Sequence, residues 1–313
     1  MDMPSRYPML LLSSFLATFV LSKVLLSVIG QSKVAIKPEL LGTQAEKQGT
    51  PVIGGIAFCM GTLLASFLDP ALLESGVVHP LLALLLFALI GFIDDRMKSR
   101  SSNGDGLSSL LKLALQCAAA MVMLLLLYNR NLLDTYLDIG PFGLELGVWY
   151  YGFACMYLLY FVNAVNITDG LDALAAGSAM PLLALLLLLA HRSGISASPA
   201  LSGSLLAFLV FNKKPAKYFM GDCGSHALGG YIAVSALLMG YEVVMFLAGG
   251  LFLVELATSL IQIISIRRFG RKVFTIAPLH HAYEQKGVAE GRIVSSFILV
   301  SWAFALLSLL ISR

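Results

Sequence analysis

Long apolar runs separated by short polar clusters set the pattern of this chain. Ten runs approach the roughly twenty residues that a helix needs to cross about 30 Å of hydrocarbon. They cover residues 7–29, 53–69, 78–93, 107–128, 148–163, 171–190, 198–211, 226–239, 241–266 and 292–311. The runs are continuously apolar rather than alternating, which predicts helices and not barrel strands. Residues 136–148 differ, because Gly140-Pro141 stands between two short alternating stretches and predicts a hairpin. No basic segment or small-residue cleavage site accompanies the first run, so it reads as a spanning helix rather than a signal peptide. The absence of an internal repeat argues against an inverted-repeat transporter. The pattern predicts an all-α integral membrane protein of about ten transmembrane helices, with residues 1–313 forming a single polytopic domain.

Composition reinforces this picture. Apolar residues make up 58% of the chain and charged residues 12%, against about 25% charged in soluble domains. Eighteen acidic and 21 basic side chains cannot cover a water-soluble globule of 313 residues. A soluble enzyme, a disordered chain and a disulfide-stapled secreted module are thereby excluded. The net charge of +3 and the lack of any basic run interleaved with aromatics argue against a nucleic-acid partner. Cys59, Cys117, Cys155 and Cys223 are scattered, so no disulfide framework or zinc cluster is implied.

The placement of charge says more than its amount. Sixteen of the 21 Lys and Arg residues fall in the odd-numbered loops, among them Lys33, Lys37, Lys47, Arg96, Lys98, Lys214, Arg267 and Lys286. The even loops and both termini hold only Arg6, Arg130, Arg192 and Arg313, while Lys23 lies inside the first run. Positive charge marks the cytoplasmic side. The odd loops are therefore expected in the cytoplasm, with both termini and the hairpin outside.

Five polar clusters occupy those odd loops. The third run ends in Asp94-Asp95-Arg96-Met97-Lys98. Adjacent carboxylates at a membrane edge repel unless they share a cation or a proton. Mg²⁺ with a phosphate ligand, a raised pKa suited to base catalysis, or a solvated helix end are the available readings. A second cluster sets Asn163, Asn166, Asp169 and Asp172 at every third residue, along one drifting helix face at the start of the sixth run. Its loop carries no Lys or Arg, so two carboxylates and two amides suit a metal or the hydroxyls of a sugar. In Gly221-Asp222-Cys223-Gly224-Ser225, glycines flanking an aspartate allow close backbone approach to a ligand, with amides at a helix start to receive phosphate oxygens.

His280 and His281 precede Glu284 in the ninth loop. The order His-Glu-x-x-His is absent and helical neighbours point about 100° apart, so imidazole donors to phosphate fit better than zinc. The fifth cluster, Lys47-Gln48-Gly49-Thr50-Pro51, enters the second run and is also explained as a plain helix start. Carboxylates, lysines and histidines kept beside hydrocarbon on one face point to Mg²⁺-dependent phosphoryl transfer from a soluble donor to a lipid acceptor. A transporter with an acidic vestibule predicts polar residues at mid-span instead.

Together these motifs resemble the polyprenyl-phosphate N-acetylhexosamine-1-phosphate transferases, over nearly the whole chain. The Gly49-Thr50-Pro51 and His280–Gly287 segments are most similar to the branch that transfers phospho-MurNAc-pentapeptide. The resemblance implies a bacterial plasma-membrane enzyme of peptidoglycan synthesis, converting UDP-MurNAc-pentapeptide and undecaprenyl phosphate to lipid I and UMP with Mg²⁺. The other branch, which transfers GlcNAc 1-phosphate, is the alternative, and a non-enzymatic relative is remote. Carried over by motif, Asp94, Asp95, Asp222 and Lys112 are catalytic, with Asp222 and Asp169 as metal ligands. Lys47, Thr50, Lys98, Asn163, Asn166, Asp169, Asp172, Gly221, Ser225, His280 and His281 bind substrate. The family is commonly dimeric, which implies a homodimer here. Two positions depart from the family pattern. Ala282 replaces a third histidine, and Ala173 replaces a glycine, a change that a helical backbone would tolerate. Glu255, inside the ninth run, and Lys23 are left without a role by the motifs; a buried ion pair and a lipid-phosphate groove are both open for Glu255.

Overall fold

The computed structural model describes residues 3–29, 47–68, 78–101, 104–139, 142–193 and 198–311. Lys33, Lys37, Gly140, Pro141 and Arg313 lie outside the described residues. Helices fill each of the ten apolar runs. They are α1 (Met3–Ile29), α2 (Gly54–Phe67), α3 (Val78–Arg100), α4 (Ser109–Asn129), α5 (Trp149–Thr168), α6 (Leu174–Ser193), α7 (Ser198–Asn212), α8 (Gly221–Met239), α9 (Glu242–Ala248), α10 (Gly250–Phe269), α11 (Leu279–Gln285) and α12 (Glu290–Ile311). Six of these, α1, α3, α4, α5, α10 and α12, are long and apolar enough to cross a bilayer, and α2, α6 and α7 are shorter apolar helices. The protein is a multi-pass integral membrane protein.

The expected hairpin is present. Strand β1 (Tyr136–Asp138) pairs antiparallel with β2 (Gly143–Glu145), with Leu137 opposite Leu144. It connects α4 to α5 at the end of the bundle where α5 begins.

Three helix boundaries differ from the hydropathy reading, each for a local reason. The run 241–266 is two helices, because Gly249 and Gly250 interrupt it; the Gly249 carbonyl accepts both the Leu253 amide at 3.0 Å and the Tyr160 hydroxyl at 3.0 Å. Helix α3 runs on to Arg100, so Asp94, Asp95 and Lys98 are helical rather than at a frayed end. Helix α8 starts at Gly221, ahead of its apolar run, since its first amides are satisfied from another helix.

Helix α8 is the axis of the bundle. Every residue from Cys223 to Leu237 is buried, and α8 packs against α3, α5, α2 and α6. A helix buried on all sides needs no polar face, and beyond Asp222, Ser225, His226 and Ser235 its sequence is small, aromatic or apolar. Around it, α1 packs on α7 and α2, and α12 on α6 and α9. The outer surfaces of α1, α4, α10 and α12 expose Leu12, Leu16, Val20, Leu125, Ile264, Leu299 and Leu306, the apolar belt of a bilayer-embedded protein. Lys23, the charge inside the first apolar run, is exposed and lies 4.8 Å from the Phe19 ring centre.

Candidate active site

Helices α3, α4 and α8 converge where α8 begins. Asp94 and Asp95 are consecutive on α3 and so point about 100° apart, and they serve different partners. Asp95 reaches across to the first turn of α8, where its carboxylate accepts the Asp222 amide at 3.0 Å and the Cys223 amide at 2.9 Å. It therefore caps α8 from outside, a role that a helix start otherwise gives to a neighbouring side chain. Gly221 makes this possible: its φ is +74°, and a Cβ there would stand 2.6 Å from Asp95 Oδ2. Both carboxylates are thus engaged with different partners, and each still contributes an oxygen to the acidic group formed with Asp222.

Asp94 is fully buried and makes the other half of the site. Its Oδ1 accepts the Leu107 amide at 2.7 Å, and its Oδ2 lies 2.7 Å from Lys98 Nζ and 2.8 Å from Lys112 Nζ. The same two ammonium groups reach Asp222, Lys98 to Oδ1 at 3.0 Å and Lys112 to Oδ2 at 2.7 Å. Asp94, Lys98, Asp222 and Lys112 thus close a four-membered ring of charge. One oxygen each from Asp94, Asp95 and Asp222 lie within 4.8 Å of one another. Three carboxylates against two ammoniums leave the cluster net negative. Its hard oxygen donors suit Mg²⁺ far better than a soft, thiophilic metal.

Behind this ring, one turn deeper, lies an uncharged layer. Gln116 Nε2 donates to Asn163 Oδ1 at 3.3 Å and meets His226 Nε2 at 2.9 Å, while Asn163 Nδ2 donates back to Gln116 Oε1 at 2.9 Å. Asn163, expected to bind substrate, is engaged in this clasp between α4, α5 and α8. Asn166 donates to Ser225 Oγ at 2.9 Å, and Ser225 in turn donates to the Gly221 carbonyl at 3.0 Å.

The Asn163–Asp172 segment is not one helix face. Asn163 and Asn166 end α5, whereas Asp169 and Asp172 lie in the turn between α5 and α6. Asp169 does not join the 4.8 Å group formed by the other three aspartates. Burial, followed by the charges of Asp222 and Asp95, pushes its pKa up to about 8. Asp172 is compensated after all, by a cation from a distant loop. Lys47 Nζ lies 2.9 Å from Asp172 Oδ1 and 2.5 Å from Glu290 Oε1. Lys214 approaches the other Glu290 oxygen at 2.8 Å. With Thr50, Ala216 and Phe219 these residues line a solvent-open cleft. Ala173 carries a φ of +65°, so the backbone there is left-handed rather than helical. The alanine is strained where glycine would not be, by about 1–2 kcal/mol. Its amide is held by Asn212 Oδ1 at 2.8 Å.

His280 and His281 separate in role. His280 is fully buried with Nδ1 2.8 Å from Glu255 Oε2, which resolves Glu255 as half of a buried pair. Burial lowers the His280 pKa below its ordinary value. His281 pairs with Glu284 at 3.0 Å, one turn along α11.

All five clusters therefore meet around the starts of α2 and α8. Gln116, Asn212, Lys214, His226, Glu255 and Glu290 were missed by motif reading. Only Glu255 carried a signal, as an acid inside an apolar run.

With this geometry the comparisons are specific. Residues 77–240 match glycosyl transferase family 4. The chain belongs to glycosyl transferase family 4. A phospho-N-acetylmuramoyl-pentapeptide-transferase of Shouchella clausii is 36% identical over 96% of both chains. Proteins of that name from Oceanobacillus iheyensis, 36% identical over 95% of each chain, and Lactiplantibacillus plantarum, 35% identical over 96% of each, match equally broadly. As a family 4 transferase, the protein carries the Asp94–Asp95–Asp222 cluster inside the matched segment.

Proposed function

We propose that this protein transfers phospho-MurNAc-pentapeptide from UDP-MurNAc-pentapeptide to undecaprenyl phosphate, giving lipid I and UMP, in the bacterial plasma membrane. The observation that carries this reading is the ring of Asp94, Lys98, Asp222 and Lys112 beside the Lys47–Lys214 cleft. It offers cations for a diphosphate beside carboxylates for a divalent ion. Breadth of similarity to pentapeptide transferases supports the choice of donor.

In the reaction, an oxygen of the acceptor phosphate attacks the sugar-bearing phosphorus of the donor. The bond from that phosphorus to the bridging oxygen breaks, and UMP leaves with the oxygen. An alkyl phosphate already carries more than one negative charge near pH 7, so the protein has little proton to remove. Its work is positioning and charge balance. Lys98 and Lys112 hold the phosphoryl oxygens, while Lys47 and Lys214 border the nucleotide end of the cleft. Asp222, with Asp94 and Asp95, would hold Mg²⁺, whose charge offsets that building on the leaving oxygen. Asp94 keeps Lys98 and Lys112 in place. Asp95 fixes the amides of the first turn of α8. Asp169 and Asp172 contact the sugar or the nucleotide from the turn after α5. The basic odd loops support a cytoplasmic position for this site.

The test is transfer from radiolabelled UDP-MurNAc-pentapeptide to undecaprenyl phosphate by the purified chain with Mg²⁺. Butanol-extractable label with one UMP per lipid is expected. No lipid product, or label accepted from UDP-GlcNAc instead, overturns the assignment.

A further inference from the structure

Helix α10 has two unlike faces. Leu260, Ile261, Ile264 and Phe269 are exposed, while Glu255, Thr258, Ser259, Gln262 and Ser265 are buried. The buried set recurs every three or four residues and so forms one polar stripe. Most of this stripe is occupied by the chain segment that returns from α10. Ser265 Oγ donates to the Arg271 carbonyl at 2.8 Å. Gln262 Oε1 accepts the amides of Val273 at 3.0 Å and Phe274 at 2.9 Å, and its Nε2 donates to the Phe274 carbonyl at 2.9 Å. Glu255 Oε2 meets His280 Nδ1 at 2.8 Å. The three anchors occur in reverse order along the two segments, so residues 271–280 run back along α10 and end at His280.

His280 arrives at a defined place. It is wholly buried, its Nε2 has no hydrogen-bond partner among the described residues, and a Cβ on Gly170 would lie 2.2 Å from that nitrogen. The edge of the imidazole therefore rests on the backbone of the turn that carries Asp169 and Asp172, and only a glycine permits the contact.

We propose that Glu255 and Gln262 are positioning residues, which deliver His280 to the Asp169–Asp172 turn with Nδ1–H donated to Glu255 and the Nε2 lone pair toward Gly170. This rests on the reading that the turn binds the sugar nucleotide. The hydrogen bond made by one ring nitrogen fixes which tautomer the other presents. A lone pair at Nε2 repels phosphate oxygens, so His280 shapes the turn and does not donate to phosphate, contrary to the motif reading. Stability alone does not require the stripe. An apolar residue of similar volume replaces a buried ionisable pair at little cost or with gain, and a buried carboxyl oxygen without a partner, as at Glu255 Oε1, is a net burden.

The experiment uses the full chain with Glu255→Leu, Glu255→Gln and Gln262→Leu, assayed for transfer and for thermal midpoint. Glu255→Leu leaves the buried His280 Nδ1–H unpaired, so it should lower the thermal midpoint and also lower kcat/KM by about 10- to 100-fold. The loss should fall on the KM for UDP-MurNAc-pentapeptide and not on that for undecaprenyl phosphate. Glu255→Gln keeps an acceptor for Nδ1–H and should recover to within about threefold of wild type. Gln262→Leu should follow Glu255→Leu with a smaller donor effect. In ¹⁵N-histidine spectra, the wild-type His280 signal should report Nδ1 protonation, and Glu255→Leu should lose it. Wild-type kinetics in Glu255→Leu, a Gln variant as impaired as the Leu variant, or an unchanged His280 signal overturns the proposal. If the wild-type chain makes no lipid product, the donor assignment fails, and the spectra still decide the tautomer.

Discussion

Helix α8 separates two buried carboxyl sites about 28 Å apart, and they meet the same desolvation problem in opposite ways. At its start, Asp94, Asp95 and Asp222 are balanced by Lys98, Lys112 and backbone amides. Just beyond its end, Glu242 accepts the Tyr150 hydroxyl, and Tyr157 donates to the Glu242 carbonyl at 3.0 Å. Glu242 Oε2 has no hydrogen-bond partner among the described residues, and one phenol on a carboxyl oxygen and one on the backbone carbonyl tie α5 to α9 without adding charge. Ammoniums shared between carboxylates do the reverse. They keep both signs of charge close together, so that a metal and a diphosphate each find an opposite partner. Burial of acids does not mark a reactive site by itself; the kind of counter-group does.

The strongest way to break this contrast is Asp222→Asn, which should lower transfer by about 10³-fold or more, with the fold intact by circular dichroism. Chelation of Mg²⁺ should abolish transfer in the wild type, and readdition should restore it. Near-normal rates in Asp222→Asn, or in chelator, would put the reaction elsewhere.

Next in size is the layer beneath the charged ring. Gln116→Leu leaves Asn163 and His226 without their partner, at a cost of about 1–3 kcal/mol. A lowered thermal midpoint is expected, and an unchanged midpoint would show that the clasp contributes nothing.

A smaller effect is expected from pH. The Asp169 pKa lies at about 8, against an ordinary 3.8, so folding favours its neutral form. That contribution is complete below the ordinary pKa and is lost as pH rises through the folded one. Without divalent cations, the wild type should melt lower at about pH 8.5 than at about pH 5. Asp169→Asn should flatten that difference; an equally steep slope in the variant would assign it to other groups.

The smallest change should come at the far end of α8. Glu242→Gln retains an acceptor for Tyr150 and should leave transfer within about twofold, as an exchange far from the reacting groups does. A large loss of turnover there would dissolve the contrast between the two ends.

Motif order was legible from the linear chain because the acids, lysines and histidines stand next to turn-forming glycines. The partners were not. Asp95 finds its amides at Asp222 and Cys223, and Lys47 finds its acids at Asp172 and Glu290. Those separations exceed any local pattern. Asp169 and Asp172 looked uncompensated because their own loop carries no cation, and Asn163 looked available because its partner Gln116 lies inside another apolar run. Alanine at 173 would be tolerated on a helical backbone, whereas the turn holds it left-handed.

What the sequence alone determined is what depends on local free energy. A residue's preference for hydrocarbon is a property of the side chain and its near neighbours, so the helical membrane class, the ten apolar runs and the hairpin were written in the linear order. The tertiary structure decided which carboxylate meets an ammonium, which meets an amide and which meets a phenol. Those energies depend on distance across the bundle, and α8 sets that distance by bringing Asp222 between Lys98 and Lys112.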